Sequence, residues 1–246
     1  MSALDFVLLV LGGMASGFIN TLAGGGSAIT IPILTEILGD VNVANGTNRI
    51  AIMLANIGAV AGFQRGKAVP WDVVRKVAIP AGVGAIAGAW VATIISAGAM
   101  RRVFAVVILL VALSVLYRPQ RWIHEREDSL REPWRSVLFF AIGWYGGFLQ
   151  AGVGLLWLTA LVLGGGLDLV RGNAAKVALI AIYTPLTIVV FARAAQVDVA
   201  VGAVLAIGQV SGAVLASQLA IAKGAAWVRW VLLGAAIVAA IRLGFF

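Results

Sequence analysis

Apolar stretches separated by short polar breaks run along almost the whole chain. A helix that crosses a membrane needs about 20 mostly apolar residues. Two stretches, 28–39 and 155–166, are too short to cross alone at about 1.5 Å per residue. The pattern predicts an all-α membrane protein with about ten hydrophobic segments, at 4–23, 28–39, 43–64, 77–97, 102–117, 136–151, 155–166, 170–192, 197–219 and 226–244.

The polar and glycine positions of the first half recur in the second half in the same order. Residues 17–20 match 147–150, and residues 43–49 match 170–176. We interpret the chain as a first repeat (1–117), a charged cytoplasmic loop (118–135) and a second repeat (136–246). Glycines spaced four apart also recur in both halves, as in closely packed membrane helices, at Gly84, Gly88, Gly208 and Gly212.

Five segments per half is an odd number, so the two repeats should have inverted topology. Each repeat then contains one broken or re-entrant short helix, and such repeats place a transport site at their interface. Two basic loops, 65–76 and 118–135, are expected on the cytoplasmic side. Arg101 and Arg102 fall outside in this arrangement, against the rule.

Composition agrees with a lipid environment. Hydrophobic residues make up 62% of the 246 residues and charged residues only 11%, whereas soluble domains carry about 25% charged residues. The net charge is +8, and half of the 18 Lys and Arg residues lie in the two basic loops. We therefore expect a lipid bilayer, and no nucleic acid, as partner; a homo-oligomer is possible.

Two cations lie inside the hydrophobic segments at equivalent positions. Arg49 and Lys176 each lie about six residues into a segment, where a charge costs about 2.5–3.5 kcal/mol on insertion scales. They could instead snorkel to the interface from a helix end. Polar neighbours favour a cavity-facing role for both cations; these are Asn45, Thr47, Asn48 and Asn173.

Glycine breaks precede both short segments, and the chain can restart there as a half-helix near Ser27 and near Leu155. A helix N-terminus inside the membrane attracts anionic oxygens, although glycines also permit simple close packing. Asn20 and Gln150 flank the breaks and could add hydrogen-bond donors. The candidate glycines are Gly24, Gly25, Gly26, Gly152 and Gly154.

The sign of the buried charge favours an anion. Glu36, Asp40 and Asp168 are expected near a surface, whereas a cation path would need acidic rings. The chain has no Cys, and its single His124 lies in the charged loop. Without a buried acid–base or metal cluster an enzyme is not expected, and neither is a cofactor. An anion transporter fits, and an anion channel shares every electrostatic feature.

Residues 17–27, followed by 43–49, resemble the TauE/SafE family of sulfite exporters and permeases, and 147–154 with 173–176 resemble that family's second copy. The resemblance implies transport of sulfite, a sulfonate or a related anion across the bacterial inner membrane by a multi-pass protein. Export is preferred, and uptake coupled to an ion gradient is the alternative. One departure is the second break, which reads Gly152-Val153-Gly154 where the family is often richer in glycine.

Overall fold

The computed structural model describes residues 2–115 and 131–245, and within these ranges it contains helices and no β-strand. A π-helical turn at Thr159–Gly164 directly follows the helix Val153–Leu158. The helices of the described residues are α1 (Ala3–Leu22), α2 (Ser27–Leu38), α3 (Val41–Arg65), α4 (Trp71–Ile94), α5 (Ala97–Val115), α6 (Trp134–Phe148), α7 (Val153–Leu158), α8 (Leu169–Arg193) and α9 (Val199–Phe245).

Four helices in the described part of the chain are long and apolar enough to cross a membrane. These spans are Ala3–Leu22, Trp71–Ile94, Leu169–Arg193 and Val199–Val228. The two segments predicted to be short are short, at Ser27–Leu38 and Val153–Gly164. Gly224 breaks α9 with a φ of 76°, close to the separation predicted between 197–219 and 226–244. The prediction of an all-helical protein is confirmed.

The first basic loop is shorter than predicted. Helix α4 begins at Trp71, so Arg75 and Lys76 lie within it and not in a loop spanning 65–76. Hydropathy alone placed the start too late, because a membrane helix can continue through polar residues in the headgroup layer. Arg75 Nε donates to the Trp71 carbonyl at 3.2 Å and so belongs to the first turns of the helix. Most of the predicted charged loop, residues 118–130 with His124, lies outside the described residues.

Packing pairs helices from different halves. Helix α1 packs on α9, α4 packs on α6, and α3 packs on both α8 and α9. A Cβ at Gly84 or Gly88 would overlap backbone carbonyls of α6, and one at Gly208 or Gly212 would overlap carbonyls of α1. The predicted role of these four glycines in close packing is confirmed, and it is the same in both halves.

The acidic residues that precede α3 and α8 are helix caps. Asp40 accepts from the Asn42 and Val43 amides at 2.6 and 3.2 Å. Asp168 accepts from the Val170 and Arg171 amides at 2.7 and 3.0 Å. A side-chain oxygen at this position satisfies amides that have no partner within the helix. Both carboxyl groups therefore have a structural task at the helix ends.

We expect Asp168→Ala to lower stability by about 1 kcal/mol, because the cap is lost. Asp168→Asn should retain most of that stability, since an amide oxygen also caps. Thermal unfolding of the purified protein in detergent measures the difference. Equal losses in the two variants would contradict a capping role, because the two substitutions share only the removal of the negative charge.

Candidate functional site

The two helix breaks touch each other. After α1 the chain turns at Gly24, whose φ is 81°, and enters α2 at Ser27. After α6 it turns through Gln150 and Gly152, with φ of 61° and 72°, and enters α7. A Cβ on Gly24 would collide with the backbone of Gly154, and a Cβ on Gly154 would collide with Gly24. The structure thus brings the predicted glycine breaks of both halves into direct contact.

Arg49 is fully buried and holds the end of α6. Its guanidinium donates to the carbonyls of Gly146, Gly147 and Phe148 at 3.2, 2.5 and 3.4 Å. Carbonyls at a helix C-terminus have no intrahelical partner and carry partial negative charge, so a cation there stabilises the broken end. Full burial excludes the interpretation that Arg49 snorkels to the interface.

Side chains complete the surroundings of Arg49. Its Nη1 also donates to Gln150 Oε1 at 3.1 Å and to Thr187 Oγ1 at 3.2 Å. The Phe191 ring lies under the guanidinium, 4.4 Å from Cζ to the ring centroid, and this cation–π contact fixes the plane of the group. Arg49 is therefore held on several sides by the second half of the chain.

Lys176 holds the end of α1 as Arg49 holds the end of α6. Its ammonium donates to the Asn20 and Thr21 carbonyls at 2.9 and 2.8 Å and to Asn173 Oδ1 at 2.7 Å. An ammonium has three hydrogens, so these bonds use all of its donors. Lys176 is fully buried and does not snorkel either. The cation of each half thus holds the broken helix of the other half.

Both cations are bound by uncharged oxygens. No carboxylate among the described residues forms an ion pair with Arg49 or Lys176, whose partners are carbonyl, amide and hydroxyl oxygens. These dipoles stabilise the charges without cancelling them. Two buried positive charges of this kind favour an anion as the third component of the site.

Asn48 joins three helices behind the first break. It accepts from Thr30 Oγ1 at 2.9 Å and from Gln209 Nε2 at 3.2 Å, and it donates to Ser27 Oγ at 3.2 Å. The two side chains Asn48 and Ser27, both predicted for the site, are therefore brought together at the start of α2. Gln209 forms a helix–helix hydrogen bond, one of the two roles that its position in the sequence allows.

The remaining predicted site residues differ in how close they lie to the two breaks. Asn45 Nδ2 donates to the Phe148 carbonyl at 2.9 Å and so supports the end of α6 beside Arg49. Thr47 accepts from the Asp198 amide at 2.9 Å, which places it at the start of α9 and away from the breaks. Gly26 packs against Ser16, whereas a Cβ on Gly25 would meet open space.

Comparison with known proteins identifies the family of the chain. The family described as "Sulfite exporter TauE/SafE" matches residues 9–243. The chain belongs to the TauE/SafE family. It is 27% identical over 217 residues to the probable membrane transporter YfcA of Escherichia coli K12, covering 88% of this chain and 81% of YfcA. No solved structure matches the chain.

Two further relatives of this TauE/SafE chain have similar descriptions. A probable membrane transporter of Haemophilus influenzae is 26% identical over 223 residues, with 88% of this chain and 86% of the relative covered. The probable membrane transporter YunE of Bacillus subtilis is 25% identical over 186 residues, with 65% and 68% covered. The chain is thus a multi-pass protein of a membrane-transporter family, and these relatives are described as transporters and not as enzymes.

The sequence did not lead us to predict that residues of α8 after Lys176 contribute to the surroundings of Arg49. Tyr183 and Thr187 are both buried and reach the surroundings of Arg49. They lie seven and eleven residues after Lys176, which places all three on one face of a helix. That spacing was visible in the sequence and could have extended the predicted site, because a polar face within an apolar helix points to the interior.

Proposed function

We propose that this TauE/SafE protein is a secondary transporter that moves a small sulfur-containing oxyanion, such as sulfite or a sulfonate, out across the bacterial inner membrane. One observation carries the proposal: two buried cations, neither of which pairs with a carboxylate in the described part of the chain, lie at two helix breaks that touch. The predicted site residues surround these breaks, apart from Thr47. An anionic substrate would balance the two buried positive charges.

The arrangement suits alternating access. Each cation belongs to one half of the chain and donates hydrogen bonds to carbonyls of the other half, so polar contacts join the two halves at the breaks. Rocking of one inverted repeat against the other around a central site is a common transporter mechanism. The contact of Gly24 with Gly154 is the point around which such a movement would close or open the path.

Export is preferred on energetic grounds. A membrane potential that is negative inside favours an anion moving out by about 2.3 kcal/mol per charge per 100 mV. Uptake would need a coupled proton or sodium ion. Asp40 and Asp168 are helix caps in the structure, which leaves neither of them as an obvious carrier. Uptake coupled to an ion gradient is the alternative.

We expect proteoliposomes that contain the purified protein to release sulfite faster than empty liposomes do. The rate should saturate with internal sulfite, and external unlabelled sulfite should accelerate the exchange of labelled sulfite, as counterflow through a carrier does. Chloride should not reproduce the counterflow. A conductance without saturation or counterflow would identify a channel and would contradict the proposed mechanism.

A further inference from the structure

Four buried polar groups around the second break have no hydrogen-bond partner among the residues that the structure describes. They are Arg49 Nε, Gln150 Nε2, Trp157 Nε1 and the Tyr183 hydroxyl. Each of the four side chains is at most 1% exposed. Buried polar atoms are nearly always paired in folded proteins, so each exception requires an explanation.

The four groups form one continuous set. Gln150 is bonded to Arg49 through its Oε1 atom, which leaves its Nε2 amide for another acceptor. The Tyr183 and Trp157 rings stack with centroids 6.3 Å apart, so the Tyr183 hydroxyl and Trp157 Nε1 are carried by neighbouring rings. A Cβ on Gly146 would come within 2.7 Å of the same hydroxyl. The set therefore lies against the last turns of α6, where Arg49 binds.

The chemistry of the set is one-sided. The free nitrogens of Arg49, Gln150 and Trp157 can donate hydrogen bonds but cannot accept them. The Tyr183 hydroxyl can also donate. No carboxylate pairs with Arg49 among the described residues. Several donors beside an uncompensated positive charge match a ligand that carries several acceptor oxygens and a negative charge.

The set lies at the second break and is drawn from both halves of the chain, Arg49 from the first and the other three residues from the second. Counted on from the glycine breaks, the position that matches Trp157 is Ile29, and counted on from residues 43–49 and 170–176, the position that matches Tyr183 is Asn56. Ile29 carries no side-chain donor, and Asn56 donates to the Ile52 carbonyl at 2.7 Å. Lys176, the counterpart of Arg49, has no free donor. Around the first break the unpartnered buried atoms of the described residues are one donor, Asn173 Nδ2, and one acceptor, Gln209 Oε1, so the two breaks differ in their free hydrogen-bonding groups.

We infer that Arg49 Nε, Gln150 Nε2, Trp157 Nε1 and the Tyr183 hydroxyl form the subsite that binds the three oxygens of an –SO3 group, whether in sulfite or at the end of a sulfonate. This inference rests on the proposed function and assigns its direct contacts. Lys176 contributes charge without touching the anion. Trp157 and Tyr183 select for an oxyanion because their donors are fixed by ring stacking.

The test uses Trp157→Phe and Tyr183→Phe, which remove one donor each and retain an aromatic ring. Calorimetric titration of the detergent-purified full chain with sulfite, and separately with methanesulfonate, should show about tenfold weaker binding for each variant, as expected for loss of one hydrogen bond to an anion. Trp90→Phe, at a position 60% exposed on α4, is the matched control and should bind as wild type does.

Unliganded stability provides a second readout. Removing an unpaired buried donor relieves a desolvation cost, so Tyr183→Phe should melt at or above the wild-type temperature without anion. Trp157→Phe also leaves a cavity at a fully buried position, so only its affinity is compared. A melting temperature of Tyr183→Phe several degrees below wild type would show that the hydroxyl is structural and would overturn the inference. Wild-type affinity for both anions in both variants would overturn it too. A wild type that binds neither anion would instead overturn the proposed function.

Discussion

Gly24→Ala is expected to abolish transport and to destabilise the protein severely. The backbone of Gly24 has a φ of 81°, in the left-handed region that costs other residues about 1–2 kcal/mol. The new Cβ would also collide with the backbone of Gly154. Backbone cannot rotate away as a side chain can, so the breaks of the two halves must separate. Overpacking of this kind adds about 1–3 kcal/mol.

Gly39→Ala separates these two contributions. Gly39 has a similar φ of 73°, but a Cβ there would meet nothing within 4 Å. That variant should lose only the cost of the strained backbone and should still release sulfite from proteoliposomes. Thermal unfolding and efflux are measured for both variants. If Gly24→Ala behaves like Gly39→Ala in both assays, the contact between the breaks has no functional importance.

Much of the fold was predictable because apolar runs of about 20 residues have few alternatives in a membrane. The two short segments were predicted for the same reason, since their length follows from counting. Helix ends were predicted less well, as at Trp71, because polarity changes gradually through the headgroup layer. The partner of α4 is α6, and only the recurring glycines gave any indication of such pairing.

The candidate site was predictable as a list of residues but not as a set of contacts. A lone cation in an apolar segment is conspicuous, and so Arg49 and Lys176 were found at once. Their partners were not foreseen, because helix C-terminal carbonyls carry no side-chain signal. Sequence suggested equivalent roles for the two cations. The structure distinguishes them, since Lys176 uses all three donors while Arg49 keeps Nε free.

This difference has a consequence for how the two halves act. A lysine with all donors engaged fixes α1 in place and adds only its charge, whereas an arginine can hold α6 and bind a ligand with the same planar group. If the inference above holds, an anion makes its directional contacts at the second break, where Arg49 of the first half meets Gln150 of the second.

Arg49→Met is expected to have the other large effect. Methionine approximates the volume of the side-chain stem, but it leaves the carbonyls of α6 and the side chains of Gln150 and Thr187 without their donor. Removing one partner from a buried charged network costs about 3–5 kcal/mol. For a chain of this length, that corresponds to a fall of roughly 10 °C in the melting temperature. Sulfite efflux should be lost as well.

Arg65→Met is the matched control, because Arg65 is exposed at the end of the same helix α3 and should change stability by less than about 0.5 kcal/mol. Arg49→Lys tests charge against geometry: one ammonium has three donors and cannot reproduce the guanidinium fork. We expect Arg49→Lys to recover part of the melting temperature and little of the efflux. Full efflux in Arg49→Lys would mean that positive charge alone is required, and unchanged efflux in Arg49→Met would remove Arg49 from the site altogether.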